Sequence, residues 1–230
     1  VTVDTVSLFL ALLAVVAQLA TATAVVLAVG GRFSERLAAL RRQAVEAVAP
    51  SALTLACVVA AVCMAGSLYF SEVAHFPPCH LCWLQRYFMY PLVPILGFAV
   101  LGGTHRRCRG DTPHPPGWRR ARRIRPLAAG LAAIGAVIST YHVLLERNPQ
   151  WESSVCDPKN PCTLIWVERL GYLTIPTMAL SGFLLILTLL AVSWAGDRLN
   201  PSDLPPGDGG CPPDNGGVSR PKRSEVHGHH

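Results

Sequence analysis

Five apolar runs, at about residues 6–29, 52–70, 87–101, 127–145 and 173–194, alternate with polar stretches along the chain. A helix needs roughly 20 apolar residues to cross the hydrocarbon of a bilayer, so the pattern predicts five transmembrane helices. A cleaved signal peptide opens on a basic segment and has a short apolar stretch. The first run follows Asp4 with no lysine or arginine ahead of it, and it is longer. It reads as a signal anchor or an additional helix.

Composition agrees with an integral membrane protein: 51% of the 230 residues are hydrophobic and 15% charged, against about 25% charged in an ordinary soluble domain. The net charge of +6 is unevenly placed. Arg32, Arg36, Arg41 and Arg42 follow the first run, and residues 105–125 hold eight arginines against Asp111. Basic loops stay on the cytoplasmic side, so both segments are expected there. Nucleic-acid binding is the rival reading of such a run, but its position between two spans argues for membrane topology, and no nucleic-acid partner is expected. With five spans the N-terminus lies outside and the C-terminal tail inside. Residues 197–230 are rich in Pro, Gly, Asp and Ser and read as disordered. The closing His-Gly-His-His is too short to support a metal site.

This topology sorts the eight cysteines. Cys79 and Cys82 fall in one outer loop, Cys156 and Cys162 in the other, at about 146–170. Disulfides persist in that compartment and are rare in the cytosol. Cys57 and Cys63 lie mid-helix as small apolar packing residues, and Cys108 and Cys211 are expected as cytoplasmic thiols.

Three chemistries are open to the outer pairs. A zinc site could use all four thiols with His75 or His80, although the CDPKNPC spacer is wide and Arg86 would repel a dication. Two static disulfides are also possible, but a CxxC ring is small and strained and stabilises little. A redox relay uses that lability. Cys82 is expected to open a helix, where backbone amides and a cation one turn on stabilise a thiolate. Arg86, four residues later, would lie on the same face, about 6 Å along the axis. An ionised residue just inside a membrane marks a site by default; snorkelling to the headgroups is the alternative. Gln85, Arg86, His142, Glu146, Glu168 and Arg169 all fall at this depth, an expected polar ring suited to a small redox-active lipid whose carbonyl needs donors. Pro91, Pro94 and Pro176 are expected to break backbone hydrogen bonds within the membrane, and Gly66 and Ser67 to allow close helix contact.

Four blocks in this order resemble the DsbB/BdbC family of disulfide bond formation proteins, membrane thiol:quinone oxidoreductases. They are CHLCWLQR at 79–86, a helix ending YHVLLE at 141–146, CDPKNPC at 156–162, and GYLTIPTMAL at 171–180. The likeness covers about residues 51–194, and the first and last blocks look closest to the BdbC-like branch. It implies a four-helix transmembrane bundle at 51–195 in an all-α fold, to which the hydropathy pattern adds an extra N-terminal transmembrane helix at 1–30. A basic cytoplasmic linker at 31–50 and a tail at 196–230 complete the expected organisation. The resemblance further implies a quinone, ubiquinone or menaquinone, near the outer face of a bacterial cell membrane, and a DsbA-like thioredoxin-fold thiol oxidase as partner. In that scheme Cys156 forms the mixed disulfide with the partner and Cys162 resolves it. Cys79–Cys82 takes the electrons, Cys82 makes the thiolate–quinone contact and Arg86 supports the charged quinone, with Gln85, His142 and Glu146 beside it. The first helix and the long arginine segment lie outside the family pattern. Vitamin K epoxide reductases, which carry their cysteine pairs in the opposite chain order, and a zinc-binding membrane scaffold are the alternatives.

Overall fold

The computed structural model describes residues 2–104, 117–151, 156 and 161–199. Seven α-helices follow one another: α1 (Val3–Gly30), α2 (Glu35–Val48), α3 (Ala52–Leu68), α4 (His80–Met89), α5 (Leu92–Thr104), α6 (Gly117–Arg147) and α7 (Ile175–Leu199). Counting α4 and α5 as one broken span, five segments are long and apolar enough to cross a membrane: Val3–Gly30, Ala52–Val73, His80–Leu101, Ile124–Arg147 and Ile175–Leu199. The protein is an all-α integral membrane protein.

The boundaries match the sequence expectation in part, and each difference has a local reason. The third apolar run begins near 87, but its helix opens at His80, two residues ahead of the expected start at Cys82, because Cys79 is the residue that caps α4. Pro91 separates α4 from α5, since it has no amide to donate and disfavours helix in the residue before it. Pro94 and Pro176 break nothing: they lie in the first turns of α5 and α7, where a helix has no use for the missing amide. The arginine segment is helical from Gly117 onward, as the start of α6. The 31–50 linker is not a simple loop; it forms α2, which packs on α1 and α7. Cys108, Cys211, residues 157–160 and the tail from 200 onward lie outside the described residues.

The bundle core pairs small residues on some helices with large ones on others. Ala56 and Ala60 of α3 and Ala128, Ala132 and Ala136 of α6 pack around Leu92, Leu96, Phe183, Ile186 and Leu190. In a bilayer there is little hydrophobic drive between helices, so association depends on such close fit. Large apolar side chains such as Phe98 and Val137 point outward, as a lipid-facing surface requires.

At the end of the bundle that carries the cysteines, α3 finishes in a π-helical turn, Tyr69–Val73. Glu168–Arg169 and Leu173–Thr174 form a short antiparallel hairpin. Leu170 and Gly171 both take positive φ, 53° and 76°, and Tyr172 N–H closes the turn on the Arg169 carbonyl at 3.3 Å. Glycine accepts that conformation freely. The hairpin aims Arg169 at α1, where its Nε donates to Ser7 Oγ at 3.0 Å and Nη2 pairs with Asp4.

Candidate redox site

The sulfur chemistry is built at the start of α4. Cys79 is the N-cap in extended conformation; its Sγ accepts the Cys82 amide at 3.3 Å and lies 2.9 Å from the Cys82 Sγ in a thiol–thiol hydrogen bond. Sequence reasoning expected the helix-start amides to serve Cys82; they serve Cys79. The Cys82 thiol hydrogen bond, then His142, hold Cys79 from the ordinary thiol value of 9.0 down to about 4, against the opposing effect of burial. The Cys82 amide and the His142 ring thus favour the ionised form of the pair at Cys79.

The second pair lies against the first. Cys156 and Cys162 form a disulfide, and both are buried with Cys79, Leu81 and Leu145 in one small cluster. His142 of α6 joins the two pairs. Its Nδ1 faces Gln85 Nε2 at 3.0 Å, and its Nε2 faces the Cys162 carbonyl at 3.0 Å and Cys79 Sγ at 3.7 Å. One tautomer satisfies all of these: the Gln85 amide donates to Nδ1, and the Nε2 proton points at the carbonyl oxygen and the thiolate. Glu146, one turn further on, accepts from Thr174 Oγ1 at 2.6 Å.

On its other side Cys82 lines a cavity of about 370 Å³. Gln85 and Arg86 share that wall, and most of the remaining lining is apolar. Arg86 Nε donates to Ser67 Oγ at 2.9 Å and Nη2 to the Ser67 carbonyl at 3.0 Å, with the guanidinium 5.2 Å from the Trp83 ring centroid. Trp166 from the second cysteine loop stacks on Phe76 from the first at 5.2 Å, and Phe76 stacks on Phe70 at 6.1 Å. All three rings line the cavity.

The expected polar ring therefore divides. Gln85 and Arg86 meet the cavity, His142 and Glu146 stand by the sulfurs, Glu168 is exposed, and Arg169 turns away to α1. Sequence reasoning missed Thr174, the stacked rings, and Ser67 as a partner of Arg86. Thr174 lies within the GYLTIPTMAL block, but the rest carry no signal short of the folded arrangement. The four-thiol zinc set is not assembled, because two of its members are bonded to each other. Among the described residues, Cys79, Cys82 and His142 alone bring three metal-capable atoms within 4.8 Å of one another.

Comparison with known proteins gives the family of the chain. The family model described as "Disulfide bond formation protein DsbB" matches residues 49–160. Disulfide bond formation protein C of Bacillus subtilis is 39% identical over 136 residues, covering 59% of this chain and 86% of the relative. A probable disulfide formation protein of Deinococcus radiodurans is 40% identical over 152 residues, 64% of this chain and 90% of that protein. Probable disulfide formation protein C 1 of Bacillus anthracis is 38% identical over 123 residues, 53% of this chain and 76% of that protein. No solved structure matches. With the CxxC pair first, the loop pair second and relatives covered over most of their length, the chain belongs to the DsbB family of disulfide bond formation proteins, membrane oxidoreductases that make disulfides.

Proposed function

We propose that the protein is a protein-dithiol:quinone oxidoreductase that reoxidises a thioredoxin-fold, DsbA-like thiol oxidase on the outer face of a bacterial cell membrane. The observation that carries this reading is the double position of Cys82, hydrogen-bonded to Cys79 on one side and on the cavity wall with Gln85 and Arg86 on the other.

The partner's thiolate attacks Cys156 and forms a mixed disulfide; the partner's second thiol then releases it oxidised, leaving Cys156 and Cys162 as thiols. This dithiol attacks an oxidised Cys79–Cys82 pair, so the loop disulfide re-forms and Cys79 and Cys82 receive two electrons and two protons. The arrangement described above, a loop disulfide beside a CxxC dithiol, is the state that follows this step. Exchange is favoured when the leaving thiol has a low pKa, and Cys79 is the better leaving group of its pair. His142 Nε2–H lies where it can stabilise the thiolate as it leaves.

The cavity suits a quinone by its donor set: a cation and an amide at one end, apolar walls elsewhere, within the usual size of small-molecule sites. Gln85 and Arg86 would hold the polar ring, and Cys82 would lie against it. A quinone supplies a two-electron, two-proton acceptor. A strongly oxidising partner resists reoxidation by an ordinary disulfide, so such an acceptor is needed to draw the relay forward.

The test is steady-state quinone reduction by purified protein supplied with a reduced DsbA-like partner. Cys82→Ser is expected to abolish it; intact turnover sinks the scheme. Cys162→Ser is expected to accumulate a mixed disulfide between partner and Cys156. The cluster of Cys79, Cys82 and His142 favours one other reading, a metal-holding centre. Stoichiometric zinc in the protein as isolated, with Cys79 and Cys82 unreactive until chelation, would replace the relay.

A further inference from the structure

Helix α1 precedes the stretch that the family model matches, which begins at residue 49. It is nevertheless part of the cavity. Leu10, Leu13, Ala14, Val16 and Ala17 all line it, opposite residues of α3, α4 and α7. We propose that α1 is the wall that holds the apolar tail of the electron-accepting lipid, and that its Leu13–Ala17 segment determines which tails fit. This inference rests on the quinone reading and extends it to a helix outside the matched region.

Two observations show that α1 is fixed in place. Its lining segment is bracketed by polar ties. Above it, Ser7 is fully buried and accepts from Arg169 Nε at 3.0 Å. Below it, Gln18 Nε2 donates to Ser181 Oγ of α7 at 3.0 Å, and Gln18 Oε1 accepts from Tyr172 at 2.9 Å. A polar group in hydrocarbon is costly unless it is bonded, so these ties set both the depth and the rotation of α1. Ser7, Ala11, Ala14 and Gln18 lie on one helical stripe, and the first three are buried. Second, α1 and α3 touch next to the arginine site. A Cβ on Gly66 would lie 2.9 Å from Leu10 Cδ1, and the next residue, Ser67, is the one that holds Arg86.

The chemistry along the cavity names the occupant. Its polar groups, Ser67, Cys82, Gln85, Arg86 and the Tyr90 hydroxyl, come from α3 and α4, while α1 offers only apolar side chains. Leu10 to Ala17 covers about 10 Å along the helix axis, a length that a ring alone does not need. An amphiphile with a polar, reducible head and an alkyl or isoprenoid tail matches that polarity. Ala14 and Ala17 are both small and buried, which leaves room for a chain.

The experiment measures equilibrium binding of two quinones with the same head group, one without a tail and one with a decyl tail. The readout is quenching of tryptophan fluorescence in detergent-solubilised full-length protein, since Trp166 lines the cavity. Ala17→Phe fills the wall and is expected to weaken decyl-quinone binding about tenfold while leaving tailless binding within a factor of about two. Leu13→Ala removes a wall side chain and is expected to change only the tailed affinity. Leu19→Phe, on the exposed face of α1, is expected to match the unmodified protein for both. If Ala17→Phe loses both ligands through misfolding, Leu13→Ala decides. Unmodified protein that binds both quinones, with variants that bind them identically, overturns the role of α1 and leaves the quinone reading standing. Unmodified protein that binds neither quinone overturns both.

Discussion

Cys79 and Cys82 are separated by two residues, and the first turn of α4 gives them different roles. Cys79 receives the Cys82 amide at the helix start, while Cys82 faces the cavity. The expected titration follows. Because its value is held down to about 4, the Cys79 thiolate of the reduced protein should persist as pH falls and be protonated only near that value. Ultraviolet thiolate absorbance against pH checks this, and a transition near 9 would contradict it. Cys82→Ala removes the leading stabilising hydrogen bond and should move the transition upward. The linkage sign is that of a depressed group. The ionised Cys79 stabilises the folded reduced protein fully above 9.0, and that contribution is lost as pH falls through about 4. Legibility differed among these residues. The CxxC, Arg86 and the loop pair were readable from spacing and topology, whereas the choice of Cys79 as N-cap depends on its own extended backbone ahead of His80.

At the scale of elements, four features position the site: the π-turn after α3, the break at Pro91, the hairpin, and the fit of α6 on α7. The last is the tightest. A Cβ on Gly135 would lie 2.3 Å from ring atoms of Phe183, and Phe183 also lines the cavity. Overpacking of this kind costs about 1–3 kcal/mol. Gly135→Ala is therefore expected to lower the thermal unfolding midpoint of the solubilised protein; an unchanged midpoint would mean that the helices part without penalty. Hydropathy located the five spans but not these details. It set the start of the third span too late, because Gln85 and Arg86 mask a helical turn, and it gave no sign that the 31–50 segment folds as α2. It also expected Gly66 and Ser67 to act alike, whereas Gly66 admits Leu10 and Ser67 holds Arg86.

Over the whole molecule, the N-terminal end of α1, the hairpin and both cysteine pairs lie at one end of the bundle, because Asp4 and Ser7 bond to Arg169. The turn between α1 and α2, with Phe33 86% exposed, is reached by crossing the full length of α1. Basic residues around that turn predict that it faces the cytoplasm. Single cysteines at the two ends, Phe33→Cys and Leu170→Cys in a background free of other reactive thiols, test this. A membrane-impermeant maleimide applied to intact cells should label the second and spare the first. The reverse pattern would put the relay on the cytosolic side and remove its oxidising context.

The sequence by itself determined the membrane class, the five spans, the two local cysteine motifs and the family, because hydropathy and short local motifs survive without a fold. Only the tertiary structure decided which thiol the helix-start amide serves, that His142 touches both pairs, that Trp166 and Phe76 stack across two loops, and that α1 walls the cavity. Each of these depends on side chains brought together from distant parts of the chain by helix rotation and depth. Those are set by close packing and a few buried polar ties, such as Gln18 with Ser181, which leave no periodic trace in the sequence.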